Sequence, residues 1–303
     1  MKESWLVTGA LGCIGAWTVK ALAEEGVDVA GYDLGTNDGR ITSITDAKID
    51  VVRGDITDRA ALDRALDDRE VTHVVHLAAL LLPLIKKDPP NGTAVNVVGT
   101  TNVLDAAKTR GIQVAYASSA AVFSRDDPSP VAHDADGHPT SWYGVHKQAC
   151  EGMARVFWDE EQVPSIGLRP YIVYGPGRDV GITAGPSLAM AAAARGEPYT
   201  IPFGGVSQLQ FAPDAAAAFI SAARAAREGA AVYNLGTKPV HMSECVAAIE
   251  SVVPGAEITF DDVQLPFPDE YESESLERAV DGLHWTSLKD GVRQTVEHYR
   301  AAG

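Results

Sequence analysis

Tyr143 and Lys147 stand four residues apart in Tyr143-Gly144-Val145-His146-Lys147, at the start of a stretch with helical patterning. Residues i and i+4 of a helix share one face, so the phenol and the ammonium point the same way. A free tyrosine titrates at about pH 10, too high for a base at neutral pH. A neighbouring ammonium favours the phenolate and makes the phenol competent to remove a proton from a substrate hydroxyl. The spacing alone is weak, because chance supplies it in many chains of this length. Its meaning depends on what else the chain brings to it.

The strongest such feature lies at the other end of the domain. Trp5–Thr8 reads as a strand, and Thr8-Gly9-Ala10-Leu11-Gly12-Cys13-Ile14-Gly15 follows it directly and opens a helix. Glycines there permit a tight turn, close approach of backbone to a diphosphate and close helix–strand packing, while the helix start offers free N–H groups to the phosphates. Asp33 ends the second strand, 24 residues beyond Gly9, where a ribose-binding acid belongs. Its carboxylate accepts from both ribose hydroxyls of NAD and repels the 2′-phosphate of NADP; a solvated loop aspartate is the competing reading. The first basic residue after it is Arg40. With an oxidised nicotinamide present, proton removal by Tyr143 accompanies loss of the adjacent C–H as hydride, and Lys147 also bonds the nicotinamide ribose.

Elements that must position these groups emerge from the pattern. Short apolar runs at Val27–Tyr32, Val51–Arg53, Val74–Leu77, Gln113–Ala117 and Ser165–Pro170 alternate with helical stretches near Ile14–Glu25, Arg59–Leu66, Thr93–Thr109 and Trp142–Glu160. Near-continuous apolar strands between helices predict a parallel sheet covered on both faces. After the crossover, Ser187–Arg195 and the alanine-rich Asp214–Arg227, with Asp214 as a candidate cap, read as helices. Tyr199–Phe211 reads as strand and loop, Val232–Leu235 as a late strand and Leu288–Ala301 as the last helix.

The composition is that of a globular enzyme: 303 residues, 46% hydrophobic and 22% charged. A net charge of −16 argues against nucleic acid and against anionic membrane surfaces. Cys13, Cys150 and Cys245 are widely separated, so a reducing compartment without disulfides is expected. No signal peptide or membrane-length apolar run is visible, and the chain reads as cytoplasmic. His133 and His138 lie in a Pro/Asp-rich loop that reads as solvated rather than zinc-binding, and no metal is expected.

The G-x-x-G-x-x-G turn, Asp33 and Tyr143/Lys147 together resemble the extended branch of the short-chain dehydrogenase/reductase family, the NAD-dependent epimerase/dehydratase type, over nearly the whole chain. The resemblance implies an α/β fold, a Rossmann-type doubly wound parallel sheet with a smaller C-terminal substrate lobe. It assigns Ser119, in Ser118-Ser119-Ala120-Ala121-Val122-Phe123, as the hydroxyl that orients the substrate oxygen, with Ser118 structural. Asp55 and Ile56 resemble the adenine-binding segment, Leu77, Ala78 and Ala79 the cofactor-lining end of strand four, and Asn96 a support for backbone near the site. Tyr171 and Val173 are expected beside the nicotinamide. The implied cofactor lobe spans 1–168 plus 214–236, the substrate lobe 169–213 plus 237–303. A homodimer through Thr93–Thr109 and Trp142–Glu160 is implied as well.

The chain also departs from the sugar-nucleotide members of that family. Ile172 replaces an Asn that serves the substrate diphosphate, Ser207–Phe211 lacks a phosphate-binding Arg, and Leu81 stands where a polar residue is common. Losing such an Arg removes a charge-assisted contact. Leu81, Gln208, Arg178 and Thr183 are the expected substrate contacts beside Ser119, and Arg178 could pair with a carboxylate, unless Asp179 or another acid claims it. An NAD-dependent dehydrogenase of a small hydroxy acid or sugar acid is the first expectation. An NAD-retaining epimerase or dehydratase is the second, and a redox-sensing binding protein the third, disfavoured by the intact Tyr143, Lys147 and Ser119.

Overall fold

The computed structural model describes residues 2–302; Met1 and Gly303, the outer limits of the two expected lobes, lie outside the described residues. The first half alternates as the pattern requires: β1 (Ser4–Thr8), α1 (Cys13–Glu24), β2 (Asp28–Asp33), α2 (Gly39–Thr42), β3 (Asp50–Arg53), α3 (Arg59–Asp67) and β4 (His73–His76). Next come α4 (Leu82–Lys87), α5 (Pro89–Thr93), α6 (Gly99–Lys108), β5 (Gln113–Ala117), α7 (Trp142–Glu161) and β6 (Ser165–Arg169). Six of these strands and a late one, β10 (Ala230–Asn234), form a parallel sheet in the order β10-β6-β5-β4-β1-β2-β3. This is the doubly wound Rossmann-type arrangement.

The inner strands β1 and β6 are buried along their whole length because both sides of the sheet are covered. Trp5 and Val7 of β1 face a core that includes Val19 and Leu22 of α1, while Leu6 between them faces Leu62, Leu66 and Leu104. On the first face lies α9 (Ala212–Ala225), which follows β7 (Ile172–Tyr174), α8 (Gly185–Arg195), β8 (Tyr199–Ile201) and β9 (Val206–Phe211). Its alanines, Ala215, Ala218 and Ala222 among them, are fully buried and allow α9 to lie close to the sheet. Most of the remainder builds the smaller lobe with β11 (Pro239–His241), α10 (Met242–Val252), β12 (Ile258–Phe260) and α12 (Leu288–Ala302), whereas α11 (Glu274–Ala279) packs Leu276 into the core of the large sheet. Its sheets are the three-stranded β11-β9-β7 and the pair β12-β8, over a separate apolar core.

Two expectations need correction. The single helix expected over Thr93–Thr109 is α5, a π turn at Ala94–Val98 and then α6; just before it the apolar segment after β4 is largely helical, as α4 begins at Leu82 with Pro83 in its first turn, where a missing N–H costs nothing. Asp214 does not cap α9, which starts earlier, at Ala212; its carboxylate instead accepts from Thr286 N at 2.6 Å and Thr286 Oγ1 at 2.9 Å, tying α9 to the chain before α12.

His76, closing β4, shows what the packing demands of a polar side chain. It is 3% exposed, with Nδ1 2.7 Å from Thr8 Oγ1 and Nε2 3.1 Å from Thr100 Oγ1. Burial, and secondarily the charge of Lys147, push its pKa down to about 3. The unfolded chain therefore takes up a proton here at higher pH than the folded one does, and stability falls as pH drops through that window. His76→Gln should remove about 1.4 kcal/mol per pH unit from the slope of stability between about pH 6 and 4, read by urea denaturation. An unchanged slope would mean that the ring is already charged in the fold.

Candidate active site

A cleft of about 420 Å³ lies outside the carboxyl ends of β1, β4, β5 and β6, where doubly wound sheets bind ligands. One end is the glycine turn. Gly9 has φ +70°, and a Cβ on Gly15 would stand 2.2 Å from the Gly9 carbonyl oxygen, so neither position admits another residue unchanged. Gly12, Cys13, Ile14 and Gly15 line the cleft, and α1 begins there with no side-chain cap on its first N–H groups. Asp33 grips the turn from behind: Oδ2 accepts from Leu11 N at 3.0 Å and Oδ1 from Gly35 N at 3.0 Å. Each oxygen keeps a further lone pair.

Arg40 is a functional feature that local spacing does not reveal. Its Nη1 donates to the Leu11 carbonyl in the glycine turn, and its Nη2 holds both oxygens of Asp179 at 2.8 Å. The indole of Trp17 adds a bond to Pro176 O at 3.0 Å. Together they dock the segment after β7 against the start of α1. Arg178, freed from Asp179, bonds Thr183 Oγ1 through Nη2 at 3.1 Å. The Nε atoms of Arg40 and Arg178 are both buried without a partner, and both side chains line the cleft. The uncapped start of α1 fits an anionic ligand such as a dinucleotide diphosphate.

At the other end Ser119 and Tyr143 face the same space. Ser119 is extended and its Oγ accepts from Ala121 N at 3.1 Å, opening a short 3₁₀ turn after β5. Tyr143 sits in the first turn of α7, capped by Ser141 Oγ on Gly144 N at 3.1 Å. Gly144 is required there, since a Cβ would stand 2.0 Å from the Ala121 carbonyl oxygen. Lys147 lies behind, 3% exposed, with Nζ on Ala117 O at 2.6 Å and 5.6 Å from the Tyr143 ring centroid. This arrangement can hold a hydroxyl between Ser119 and Tyr143 with a fixed positive charge next to the phenol.

Leu77, Ala79, Leu81, Tyr171, Val173 and Thr183 also line the cleft. Burial pushes the Tyr171 phenol up to about 12, so it stays neutral. Ala78 and Ile56 pack into the sheet core instead, and Asp55 Oδ1 is engaged by Thr57 N and Oγ1 at 2.9 and 2.8 Å. Asn96, 1% exposed in the π turn, clamps Leu80 by accepting from its N at 2.7 Å and donating to its O at 3.0 Å. Gln208 is a correction. It does not line the cleft but is buried, donating to Thr237 O and Tyr271 O and accepting from Tyr271 N at 3.0 Å, which spends its amide on joining loops. His133 and His138 each face a carboxylate, Glu272 and Asp127 respectively, and no group of three potential metal ligands occurs among the described residues.

Beneath Ser119, Ser118 Oγ donates to Glu151 on α7, whose carboxylate takes Arg169 Nε at 2.7 Å and Nη2 at 2.8 Å. Only 7% of the Arg169 side chain and 12% of Glu151 are exposed. Glu151→Ala leaves the guanidinium buried and unpaired, and should lower the free energy of unfolding by about 3–5 kcal/mol in urea denaturation. A loss below about 1 kcal/mol would mark the pair as effectively solvated.

Known proteins share this architecture. The chain is 29% identical to the UDP-glucose 4-epimerase of Mycolicibacterium smegmatis over 97% of its own length and 98% of that protein's. It is 33% identical to UDP-glucuronate 4-epimerase 6 of Arabidopsis thaliana over 57% of this chain, a match that spans only 40% of the plant protein. Among solved structures, a partial consensus L-threonine 3-dehydrogenase superposes with a TM-score of 0.86 at 26% identity, covering 99% of this chain and all of that one. The model of the NAD dependent epimerase/dehydratase family matches residues 5–236, from β1 to just past β10. A match over the entire parallel sheet and its cleft leaves one assignment: the chain belongs to this family of short-chain dehydrogenase/reductase enzymes, whose cofactor is NAD.

Proposed function

We propose that the protein is an NAD-dependent dehydrogenase that oxidises a secondary alcohol of a small hydroxy acid. The observation that carries this reading is Arg178. Asp179, its obvious competitor, is bound by Arg40, and Arg178 has no carboxylate partner among the described residues while its side chain lines the same cleft as Ser119 and Tyr143. A substrate carboxylate supplies the missing acceptor.

NAD, when bound, supplies the hydride acceptor. In this reading the N–H groups at the start of α1 hold the diphosphate, Asp33 the adenosine ribose, and Asp55 the adenine. Leu77, Ala79, Tyr171 and Val173 flank the nicotinamide end. Ser119 Oγ orients the reacting hydroxyl, and Tyr143 Oη takes its proton. Lys147 Nζ keeps positive charge beside the phenol and reaches the nicotinamide ribose. Leu81 and Thr183 complete the substrate wall. The cofactor lobe comprises 1–168 with 214–236, and the substrate lobe 169–213 with 237–303.

Full-length similarity to a UDP-glucose 4-epimerase favours a second reading, in which the hydride returns to the same sugar substrate. Ile172, buried in β7 with 0% exposure, and the buried Gln208 offer no diphosphate contact, which supports the first reading over it. Incubation with hydroxy acids, sugar acids and sugar nucleotides separates the two: a dehydrogenase releases NADH, read by absorbance at about 340 nm, in proportion to product. An epimerase gives product without net NADH. In either case Tyr143→Phe should keep NAD affinity while losing turnover by about 10²-fold or more, and unchanged turnover would remove Tyr143 from the chemistry.

A homodimer is part of the same proposal. Trp142, Val145 and Val156 follow one line along α7 with 52, 48 and 46% exposure, Gly152 lies open on it, and Val98 is 47% exposed on the adjoining helix. A second copy is the apolar partner that such a stripe calls for. Among the described residues no helix is long and apolar enough to cross a membrane, and the free thiols of Cys13, Cys150 and Cys245 support a cytoplasmic setting. Light scattering should give twice the 32.0 kDa chain mass, and Val145→Asp should return it to the mass of one chain; a single-chain mass for the unaltered protein would refute the dimer.

A further inference from the structure

The cleft reaches solvent through an apolar mouth. Leu84 is 52% exposed on α4, and Val180 and Ile182 are 58% and 50% exposed on the segment before α8. All three line the cleft, as do Leu82, Pro83 and Phe267. The two segments come together around Arg178: a Cβ on Gly181 would meet Leu81 Cδ1 at 3.5 Å and Arg178 Nη2 at 3.2 Å. The guanidinium thus lies where Leu81 of one segment meets Gly181 of the other, with Thr183 on its Nη2. Large side chains exposed together, at the entrance to a site, mark a surface that an apolar ligand covers.

The polar inventory of the cleft points the same way. Ser119 and Tyr143 are needed by the reacting carbinol and Arg178 by the carboxylate. Ser118 is spent on Glu151, Asp179 on Arg40, Ser141 accepts from Gly144 N and Thr183 from Arg178. A sugar acid brings several further hydroxyls, and each one buried without a partner costs about 1–3 kcal/mol. Two serine or threonine hydroxyls with one spare hydrogen each, beside the buried Tyr171 phenol and an Arg40 guanidinium already on Leu11 O and Asp179, are too few for them.

Resting on the reading of Arg178 as the carboxylate anchor, we infer that the substrate is a hydroxy acid with a single secondary alcohol and a hydrocarbon substituent, the latter lodged between Leu81–Leu84 and Val180–Ile182. Polyhydroxylated acids are poor substrates on this view. Discrimination is set by the lips, not by the Ser119–Tyr143 end.

The test is NADH formation by the full-length enzyme with three series: 3-hydroxy and 2-hydroxy acids lengthened from four to six carbons, sugar acids of the same range, and the matching alcohols without a carboxylate. The expected result is that kcat/KM rises by about fourfold per added methylene in one hydroxy-acid series and exceeds that of every sugar acid. In Ile182→Asn and Leu84→Asn, both surface positions, the dependence on chain length flattens. Sugar acids outrunning the alkyl series, or a chain-length dependence unchanged in both variants, overturns the hydrocarbon lodging while leaving the carboxylate reading intact. Alcohols without a carboxylate matching the acids overturns the Arg178 reading instead, and absence of NADH throughout overturns both.

Discussion

Glu151 and Arg169 meet where little water reaches, and an ion pair in such surroundings persists only if every donor and acceptor is used. Arg169 gives Nε and Nη2 to Glu151, and Nη1 to His133 O at 2.7 Å and Asn234 Oδ1 at 3.3 Å, and its guanidinium carbon lies 4.9 Å from the centre of the Phe123 ring. Those partners come from α7, β10 and the loop between β5 and α7, and Ser118 adds the end of β5. Tyr143 and Lys147 lie two turns and one turn upstream of Glu151 on the same helix, and Ser119 comes directly after Ser118. The position of Ser119 against Tyr143 and Lys147 is therefore tied to a charge pair that does not line the cleft. Preorganisation of this sort is what an acid–base site requires, since its groups cannot spend free energy on finding each other during the reaction.

The cleft itself is a seam. Its floor is backbone at the ends of the parallel strands, and its far wall is the segment that leaves β7 for the smaller lobe. Arg40 and Trp17 pin that segment to the glycine turn, and Gln210 bonds Tyr171 N at 2.8 Å and Leu235 O at 2.8 Å from the interior of β9. Two lobes so joined present one surface to a ligand. The same contacts leave Arg178 facing inward without an acid, so the electrostatic character of the substrate end depends on where Asp179 goes.

Much of this is legible in the residues alone. The parallel sheet announces itself because its strands are buried on both faces and interrupted by helices, and β1 through β6 lie within a few residues of their expected bounds. That the glycine turn, Ser119 and Tyr143 come to one cleft, with Lys147 beside the Tyr143 ring, is readable because each is marked by local spacing or by a family pattern. Arg40 is not, as its partner Asp179 is 139 residues away and a lone arginine carries no sign of its direction. Gln208 misleads for the complementary reason: a polar residue near an expected contact says nothing about whether its amide is already committed. The strands β11 and β12 have three residues each, too short for a period to register. No residue type within Ala94–Val98 marks its π turn.

That π turn reaches beyond this molecule's geometry. A π turn is an α-helix with one residue inserted, and each inserted residue rotates the helix on one side of it by about 100° relative to the other side. Asn96 sits within that turn and bonds both polar atoms of Leu80. In evolutionary terms a single-codon deletion here is a change of phase rather than a loss of one side chain. A relative lacking the extra residue must bring another position to Leu80, and comparing the two residue by residue through this turn, without a gap, would pair side chains that do not share a place in space.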